Sequence, residues 1–418
     1  MTKDQKDKLV VENVYKVFGP EPERAFDLLD AGKSKDEILK ETGLTIGVQD
    51  TSFNVRAGEI FVVMGLSGSG KSTLVRMLNR LIEPTRGEIS VDGEKITRID
   101  PEKVRDIRLR KMAMVFQHFA LFPHMTVAEN VGYGLKIQGF KSDERRDKAM
   151  RALEQVGLDA WADSPPNALS GGMQQRVGLA RGLAVDPEIL LMDEPFSALD
   201  PLIRRDMQRE LLELQQRVHK TIVFITHDLN EALILGDRIA IMKEGRFVQV
   251  GTPQDIVSNP ADDYVAAFTQ DIDRGRVFTA EYVLEEPCAL SLDGDSPRTA
   301  LEKMKKLNRH GLYVLDDGRI AGVVTYGDAA ESAAGNGGDL KSMLRGGYPT
   351  VSPDKLLYEV YEECSSGLPI AVLDDDGTFR GVVDPLHVFA KLTADTEQQA
   401  SSAADRMESR SSEREVKQ

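Results

Sequence analysis

Residues Gly65–Ser72, which read GLSGSGKS, have the types and spacing needed to hold a chain of phosphates. They fit the pattern G-x-x-x-x-G-K-[ST] and lie between an apolar run, IFVVM, and a segment with helical spacing. Glycines let backbone N–H groups turn inward around phosphate oxygens where a Cβ would block the approach, and the following helix points its positive end at the same anion. The lysine supplies a mobile charge for the β- and γ-phosphates, and the hydroxyl after it can bind Mg²⁺. The predicted phosphate-binding residues are Gly65, Ser67, Gly68, Ser69, Gly70, Lys71, Ser72 and Thr73.

Two neighbouring acids, Asp193 and Glu194, end the apolar segment Ile189–Met192. Unpaired charge at the buried end of a strand is unfavourable, so a function for both carboxylates is expected. We predict that Asp193 holds Mg²⁺ directly or through water, and that Glu194 polarises the attacking water as a general base. Together with the phosphate loop, the two acids indicate hydrolysis of a nucleoside triphosphate.

A second glycine-containing helix start, LSGGMQQR, lies at 169–176, about twenty residues ahead of the two acids. Its serine stands where an N-cap is expected, and its two glycines expose backbone amides at the start of a helix. Because the first loop already surrounds the triphosphate, this second anion-binding end is expected to reach the γ-phosphate from another subunit. The residues predicted to do so are Ser170, Gly171, Gly172 and Gln174.

With these motifs in this order, the chain resembles the ATP-binding subunits of ABC transporters. The resemblance implies an α/β fold, namely a P-loop NTPase domain of the ABC type with a helical subdomain. It also implies ATP and Mg²⁺ as ligands, and a head-to-tail homodimer in which two ATP molecules are held between Lys71 of one chain and Ser170–Gly172 of the other. Four further positions match the family and take their roles from it: Gln117 as a sensor and Mg²⁺ ligand, Asp200 in the loop that crosses the dimer interface, His227 as the contact to the γ-phosphate, and Phe18, favoured over Tyr15, as the ring that stacks on adenine.

The composition is that of a soluble globular protein with an excess of acids. Of the 418 residues, 41% are hydrophobic, and 53 basic against 68 acidic side chains give a net charge of −15. Because phosphodiester binding depends on Lys and Arg, nucleic acid is not an expected partner. The apolar runs are far shorter than the ~20 residues of a membrane-spanning helix, and the N-terminus has no apolar export signal, so the chain is expected to stay in the cytoplasm. Cys288 and Cys364 have no metal-site spacing and are expected to be idle thiols.

Alternating strand and helix patterns continue to about residue 270 and predict a largely parallel sheet. After residue 272 the sequence contains an internal repeat, with the two copies GLYVLDDGRIAGVVTYGDAA and LPIAVLDDDGTFRGVVDPLHVFA. The repeat predicts a pair of packed α+β modules. Inside the first part, a helical insertion is expected to be broken at Gly32 and to stop at Gly43. The predicted boundaries are 1–272 for the ATPase domain, with the insertion at 20–46 and the helical subdomain at about 117–185, then 273–333 and 334–393 for the two modules, and 394–418 for a disordered tail.

The insertion, the phosphate loop and the doubled unit together resemble the glycine betaine/proline importers, in which the C-terminal units form a tandem CBS pair. This implies an integral-membrane permease as partner, contacted around Gln117–Asn130, a substrate-binding protein or domain reached through the permease, and a location on the cytoplasmic face of the inner membrane. It also implies control of transport by an adenine nucleotide, a cyclic dinucleotide or ionic strength. In the first module Thr325 and Asp328 match the T-x-x-D pattern that holds ribose and phosphate, whereas the second module reads Asp384-Pro385-Leu386-His387 and departs from it.

Several alternatives stay open at the level of sequence. An ABC importer for another small solute fits as well, because the solute is read by partner chains. A soluble ABC ATPase acting on nucleic acid or the ribosome is disfavoured by the acidic charge and by the lack of a second ATPase domain or a long coiled-coil insertion. A regulatory protein with a vestigial ATPase half is disfavoured by the intact motif residues, and a purely dimerising role for the module pair remains open.

Overall fold

The computed structural model describes residues 6–117, 120–270, 272–334, 339–386 and 388–389. The chain divides into two units, Met1–Ile272 and Asp273–Gln418. The tail predicted to be disordered lies outside the described residues. Within the described ranges, no helix combines the length and the apolar character needed to cross a bilayer. Both cysteines are free thiols of intermediate exposure.

The first unit alternates strands and helices in the order β1 (Asp7–Phe18), α1 (Arg24–Asp30), α2 (Lys35–Thr42), β2 (Thr45–Arg56), β3 (Ile60–Met64), α3 (Lys71–Leu78), β4 (Arg86–Val91), β5 (Glu94–Lys95), α4 (Pro101–Arg110), β6 (Met112–Val115), α5 (Val127–Val131), α6 (Tyr133–Ile137), α7 (Ser142–Gln155), α8 (Gly171–Ala184), β7 (Ile189–Asp193), α9 (Pro201–Val218), β8 (Thr221–Thr226), α10 (Leu229–Leu235), β9 (Arg238–Lys243), β10 (Arg246–Gly251), α11 (Pro253–Ser258) and α12 (Asp263–Thr269).

A six-stranded sheet in the order β10-β9-β3-β8-β7-β6 forms the centre of this unit. Its strands β9, β3, β8, β7 and β6 are parallel, and β10 joins the edge in antiparallel fashion. The central strands β3, β7 and β8 are buried along their whole length, as expected for apolar strands that are covered on both faces. The predicted parallel sheet is therefore present.

A second, antiparallel sheet in the order β2-β1-β4-β5, which the sequence patterns did not predict, lies in the same unit. The insertion between β1 and β2 folds as α1 and α2 around its own small core, which consists of Val17, Ala25, Phe26, Ile38, Leu44 and Ile46. Gly43 ends α2 with a φ of 71°, a left-handed conformation that glycine adopts without strain. Gly32 separates the two helices with a φ of 80°, so both predicted breaks are present.

Helices α5 to α8 pack on one another beside the central sheet. Their contacts are made by small and aliphatic side chains that the helical spacing brings to one face, among them Val131, Leu135, Ala149, Leu153 and Val177. This bundle occupies the segment predicted as the helical subdomain.

The second unit contains two copies of one small fold, built from β11 (Leu290–Ser291), α13 (Pro297–Leu307), β12 (Gly311–Asp316), β13 (Arg319–Thr325) and α14 (Tyr326–Ala334), then β14 (Thr350–Val351), α15 (Leu357–Cys364), β15 (Ile370–Leu373) and β16 (Phe379–Val383). Each copy has a three-stranded sheet, with one parallel pair followed by one antiparallel pair. Tyr313 lies fully buried between the copies in a cluster with Val323, Ala371, Phe379 and Val382. The repeat in the sequence therefore corresponds to two modules that share a core.

Candidate nucleotide-hydrolysing site

The carboxyl ends of neighbouring parallel strands carry the residues predicted to act on phosphate. Gly65 follows β3, Asp193 ends β7, His227 follows β8, and Gln117 comes two residues after β6. Because β3, β8, β7 and β6 are parallel neighbours, their carboxyl ends lie at one edge of the sheet. The topology thus brings together residues that are up to 162 positions apart, from 65 to 227.

Lys71 is buried at the start of α3, with 4% of its surface exposed. Its Nζ donates to the carbonyl oxygens of Gly65 at 2.7 Å and Leu66 at 3.0 Å, and lies 3.8 Å from Glu194 Oε1. Burial lowers the pKa of Lys71, while the carboxylates of Glu194 and Asp193 act in the opposite direction. Because burial disfavours the charged form of this ammonium, an anion in the loop beside it would add to the stabilisation that the two carboxylates provide.

The three glycines of the phosphate loop are required for different reasons. A Cβ at Gly65 would lie 2.2 Å from the carbonyl oxygen of Met242, and a Cβ at Gly70 would lie 2.3 Å from that of Gly47. Both positions therefore need glycine for contact with the protein itself, rather than only for the approach of phosphate. Gly68 has a φ of 79° and open space around it, so its own backbone conformation favours glycine there.

Ser72 and Asp193 are in direct contact. The Ser72 hydroxyl donates to Asp193 Oδ1 at 2.9 Å, and Arg76 Nη2 lies 3.4 Å from Asp193 Oδ2. Asp193 itself is buried, with 5% of its surface exposed, so its charge is satisfied by these two neighbours. The hydroxyl and the carboxylate are hard oxygen donors of the kind that Mg²⁺ prefers.

Glu194 stands between a cation and a histidine. Its Oε2 lies 2.9 Å from His227 Nδ1, and its Oε1 faces Lys71. The backbone of Glu194 has a φ of 47°, in the left-handed region that residues other than glycine rarely adopt. This conformation costs ~1–3 kcal/mol. Its N–H donates to the carbonyl of Ile225 in β8, which holds the turn in place. The fold thus orients this carboxylate by two side-chain contacts and fixes its backbone by one hydrogen bond.

One cavity of about 620 Å³ adjoins the phosphate loop and Glu194, whereas Asp193 and His227 contact lining residues without lining the cavity themselves. The predicted residues that line it are Phe18, Ser67, Gly68, Gly70, Lys71, Ser72, Thr73, Gln117 and Glu194. The ring of Phe18 lies beside Gly47, whereas Tyr15 packs edge to face on Phe26 in the core of the insertion. Between the two candidates for adenine stacking, Phe18 is the one at the cavity. Ser69 is buried beneath the loop, and its Oγ has no hydrogen-bond partner among the described residues.

The second glycine-containing helix start lies away from that cavity. Ser170 caps α8 by accepting from the N–H of Met173 at 3.4 Å, as predicted from its position. Gly171 is exposed, Gly172 is buried against Ile203, and Gln174 donates to the carbonyls of Pro166 and Leu169. No residue from 169–176 lines the cavity beside Lys71.

Asp200 and the module residues Thr325 and Asp328 have local partners. Asp200 caps α9 and accepts from the N–H groups of Leu202 and Ile203. Thr325 Oγ1 donates to Asp328 Oδ2 at 2.6 Å, and Asp328 also pairs with Arg345 at 2.6 Å. The Arg345 guanidinium is the main cause of the lowered pKa of Asp328. In the second module Asp384 accepts from the N–H of Leu386, and residue 387 lies outside the described residues.

Sequence reasoning missed several residues of the site. Arg76 could have been found, because it follows Ser72 by one helical turn on α3 and so faces the same acid. Gly47, Lys35, Asp36 and Leu39 line the cavity or contact its walls, but they belong to β2 and α2, and no motif near them points to the phosphate loop.

The sheet topology, the phosphate loop and the acid pair define an ABC-type ATPase domain, and comparisons with known proteins agree. The family model described as ABC transporter matches residues 48–197, and the CBS domain model matches residues 289–335. The dimeric structure of a bacterial ABC transporter cassette is similar, with 32% identity and a TM-score of 0.50, over 59% of this chain and 98% of that chain. The predicted fold class is confirmed.

Two curated relatives extend the likeness over both units. The glycine betaine transport ATP-binding protein OpuAA of Bacillus subtilis is 50% identical over 385 residues, which covers 92% of each chain. The glycine betaine/proline betaine transport system ATP-binding protein ProV of Escherichia coli is 48% identical over 90% of this chain and 95% of its own. The chain therefore belongs to the family of transport ATP-binding subunits of ABC transporters, and the resemblance seen in its motifs is confirmed. It binds nucleotide, its ATPase activity is coupled to transport, and such subunits work as dimeric cassettes with a membrane permease.

Proposed function

We propose that this chain powers the import of a compatible solute of the glycine betaine/proline class. The observation that carries the proposal is the likeness to OpuAA and ProV over both units, together with the contacts of Glu194, which lines the nucleotide cavity with Lys71, to both Lys71 and His227. The names of these relatives supply the solute class, because the solute itself is read by the permease and its associated binding protein. The subunit would lie on the cytoplasmic face of the inner membrane.

For the hydrolytic step, we propose a role for each side chain at the cavity. Lys71 exchanges its bonds to the loop carbonyls for contacts with the β- and γ-phosphates, and the loop amides hold the same oxygens. Glu194 accepts a proton from the attacking water, while His227 keeps the carboxylate oriented and reaches the γ-phosphate. Phe18, which lines the same cavity, stacks on adenine.

Mg²⁺ fits the oxygen donors on the phosphate side of the cavity. Ser72, Asp193 and Gln117 would hold it through a hydroxyl, a carboxylate and an amide oxygen, and two of these groups are already in hydrogen-bond contact. When bound, the ion neutralises charge on the β- and γ-phosphates. The Ser72 hydroxyl would then turn from Asp193 towards the ion.

A head-to-tail homodimer is the arrangement that we propose for the active cassette. The exposed start of α8 carries amides suited to an anion, yet it lies outside the cavity of its own chain. An approach from the partner to the γ-phosphate would use these amides, and removal of that phosphate would release the contact. Asp200, as the cap of α9, would hold the crossing loop in shape rather than bind ATP directly.

The surface proposed to receive the permease lies at the start of the helical subdomain, in the segment predicted around Gln117–Asn130, of which residues 118–119 lie outside the described residues. Asn130 is fully buried and ties the loop before α5 through hydrogen bonds to Phe122, Met125 and Thr126. Beside this loop, a groove of about 430 Å³ is lined by residues such as His124, Tyr133 and Arg145. A groove next to residues that Asn130 ties together supports the transfer of motion from the site to the permease.

The C-terminal modules are proposed to regulate transport. Asp328 and Thr325 bind each other, and Asp328 binds Arg345, so a ribose or phosphate would have to compete for these groups. An anionic ligand such as an adenine nucleotide or a cyclic dinucleotide would attract Arg345 away from Asp328. Ionic strength would weaken the same exposed pair.

The proposal is tested by reconstituting the full-length protein with its permease in liposomes and measuring ATP-driven uptake of glycine betaine. Uptake is expected to require Lys71, to be absent in Lys71→Ala, and to change with internal salt or with cyclic dinucleotide. Uptake of another small solute but not of glycine betaine or proline would contradict the solute class. Constant uptake across internal salt and ligand concentrations would contradict the regulatory role.

A further inference from the structure

The second helix of the insertion, α2, forms part of the wall of the nucleotide cavity. Its residues Lys35, Asp36 and Leu39 line the same cavity as Phe18 and Lys71. Lys35 and Leu39 are four residues apart, so they share one face of the helix. Lys35 also lines a neighbouring cavity of about 330 Å³ with the loop residues Ser67 to Ser69, so it borders the phosphate loop on two sides.

The fold holds α2 firmly in this place. Ser34 and Glu37 form a capping box at the start of the helix. On the face opposite the solvent, Ile38 is fully buried in the core of the insertion, and Leu44 follows in the same core. The helix is therefore a preformed part of the wall, which keeps the entropic penalty of ligand binding low.

Lys35 is a partly buried cation that is not matched by a close acid. Burial lowers the pKa of Lys35, and the more distant charges of Glu244 and Asp36 only partly oppose this. Among the described residues no ion pair is formed by Lys35, whereas its neighbour Lys33 pairs with Glu41 at 2.6 Å. An anion placed in the cavity would stabilise the charged form of Lys35.

Leu39 supplies an apolar surface at the same cavity. It is 46% exposed, and Phe18, which also lines the cavity, is 39% exposed. Large apolar side chains left open on two walls of one cavity suit a flat apolar group between or beside them. The adenine ring is such a group.

We infer, on the basis of the ATP site proposed above, that α2 is a further element of nucleotide recognition, in which Lys35 pairs with the phosphate chain and Leu39 packs on the adenosine opposite or beside Phe18. Asp36 lines the same cavity, and its carboxylate repels phosphate, so any attraction that α2 adds to that of Lys71 comes from Lys35. The insertion then has a role in ATP affinity that is separate from the phosphate loop. Neither residue touches the atoms that react.

The test compares the full-length protein with Lys35→Gln, Leu39→Ser and the control Lys40→Gln, which makes the same change in charge at an exposed position of α2 that does not line the cavity. Equilibrium binding of ATP, ADP and AMP is measured, followed by the ATP dependence of hydrolysis. In Lys35→Gln we expect Kd for ATP to rise about fivefold and Kd for AMP by less than about twofold, because the lost contact is to charge on the outer phosphates. In Leu39→Ser we expect Kd for all three nucleotides to rise by a similar factor of about three, because the lost contact is apolar.

Further readouts separate this inference from a merely structural role of α2. Lys35→Gln is expected to show a weaker dependence of ATP binding on salt, Lys35→Arg to bind nearly as well as the unchanged protein, and kcat to stay within about twofold. Unchanged ATP binding and unchanged salt dependence in Lys35→Gln, in a protein that still hydrolyses ATP, would overturn the inference and leave the proposed function intact. Equal loss in Lys40→Gln, or a lowered melting temperature that accounts for the loss, would also overturn it. Failure of the unchanged protein to bind ATP would instead overturn the proposed function.

Discussion

Replacement of Glu194 by glutamine tests the assignment of the general base most directly. Glutamine has the same size as glutamate and keeps a polar group beside His227 Nδ1, which lies 2.9 Å from Glu194 Oε2. The substitution removes the negative charge and the ability to accept a proton. The geometry of the site is therefore conserved while its chemistry is changed.

The size of the effect follows from two separate contributions. Loss of a positioned general base slows a reaction about 10²- to 10⁴-fold, which corresponds to ~3–5 kcal/mol in the barrier at ~1.4 kcal/mol per tenfold change. For binding, the charge of Glu194 lies 3.8 Å from that of Lys71, a distance at which two unit charges interact by ~4 kcal/mol at an effective dielectric constant of 20. The same carboxylate repels the phosphates that enter the cavity. Its removal frees Lys71 for ATP, so affinity is expected to stay the same or to increase.

The assay combines single-turnover hydrolysis at saturating ATP with equilibrium binding of ATP and thermal unfolding. Glu213→Gln serves as the matched control, because Glu213 is exposed on α9 and does not line the cavity. We expect Glu194→Gln to bind ATP at least as tightly as the unchanged protein and to hydrolyse it at least about a hundredfold more slowly. Turnover within tenfold of the unchanged protein would refute the role of Glu194 as base, and loss of ATP binding would refute the view that its charge opposes phosphate.

Two further predictions concern the fold around the site and the modules. Gly70→Ala places a Cβ 2.3 Å from the carbonyl oxygen of Gly47 at a φ of +106°, so we expect the free energy of unfolding to fall by at least ~2 kcal/mol and ATP binding to be lost. Tyr313→Phe removes the hydrogen bond from the buried hydroxyl to the carbonyl of Pro369 at 2.6 Å, and urea unfolding should show a loss of ~1–3 kcal/mol. Burial raises the pKa of Tyr313, so the unfolded chain ionises first and Tyr313 makes stability fall as pH rises above ~10. The phenylalanine variant should therefore show a shallower fall of stability above this pH than the unchanged protein.

Matched controls make both stability predictions decisive. Gly139 has a φ of +88° with nothing within 4 Å of a Cβ, so Gly139→Ala should cost only ~1 kcal/mol of backbone strain. Tyr326 is 37% exposed, and Tyr326→Phe should leave stability within ~0.5 kcal/mol. Equal effects of Gly70→Ala and Gly139→Ala would contradict the importance of the contact with Gly47. A Tyr313→Phe variant as stable as Tyr326→Phe would contradict the role of the buried hydroxyl.

The contiguous motifs were readable from sequence because their chemistry is local. A run of glycines between an apolar strand and a helix, with Lys71 and Ser72 at the helix start, can form only a few structures, and one of them is a phosphate loop. The caps, the breaks at Gly32 and Gly43, and the repeated C-terminal unit are local in the same sense. Parallel order then follows from the alternation of strands and helices, which places Asp193 and His227 at the same sheet edge as the loop.

Other parts of the site depended on contacts between segments that are distant in sequence. The sequence favoured Phe18 over Tyr15, and the packed structure shows where each ring lies, with Phe18 at the cavity and Tyr15 in the core of the insertion. Likewise, position 70 requires glycine because the carbonyl oxygen of Gly47 in strand β2 leaves no room for a Cβ there.

The sequence by itself thus determined the class of protein, the phosphate loop and the acids, because each lies in a short segment whose residue types dictate both its shape and its chemistry. The tertiary structure alone decided which side chains of the insertion line the cavity, and Lys35 and Leu39 are among them. The physical reason is that a side chain's neighbours across a cavity are set by the packing of helix α2 on the sheet, and that packing is encoded in buried apolar contacts spread along the chain rather than in any motif around the residue itself.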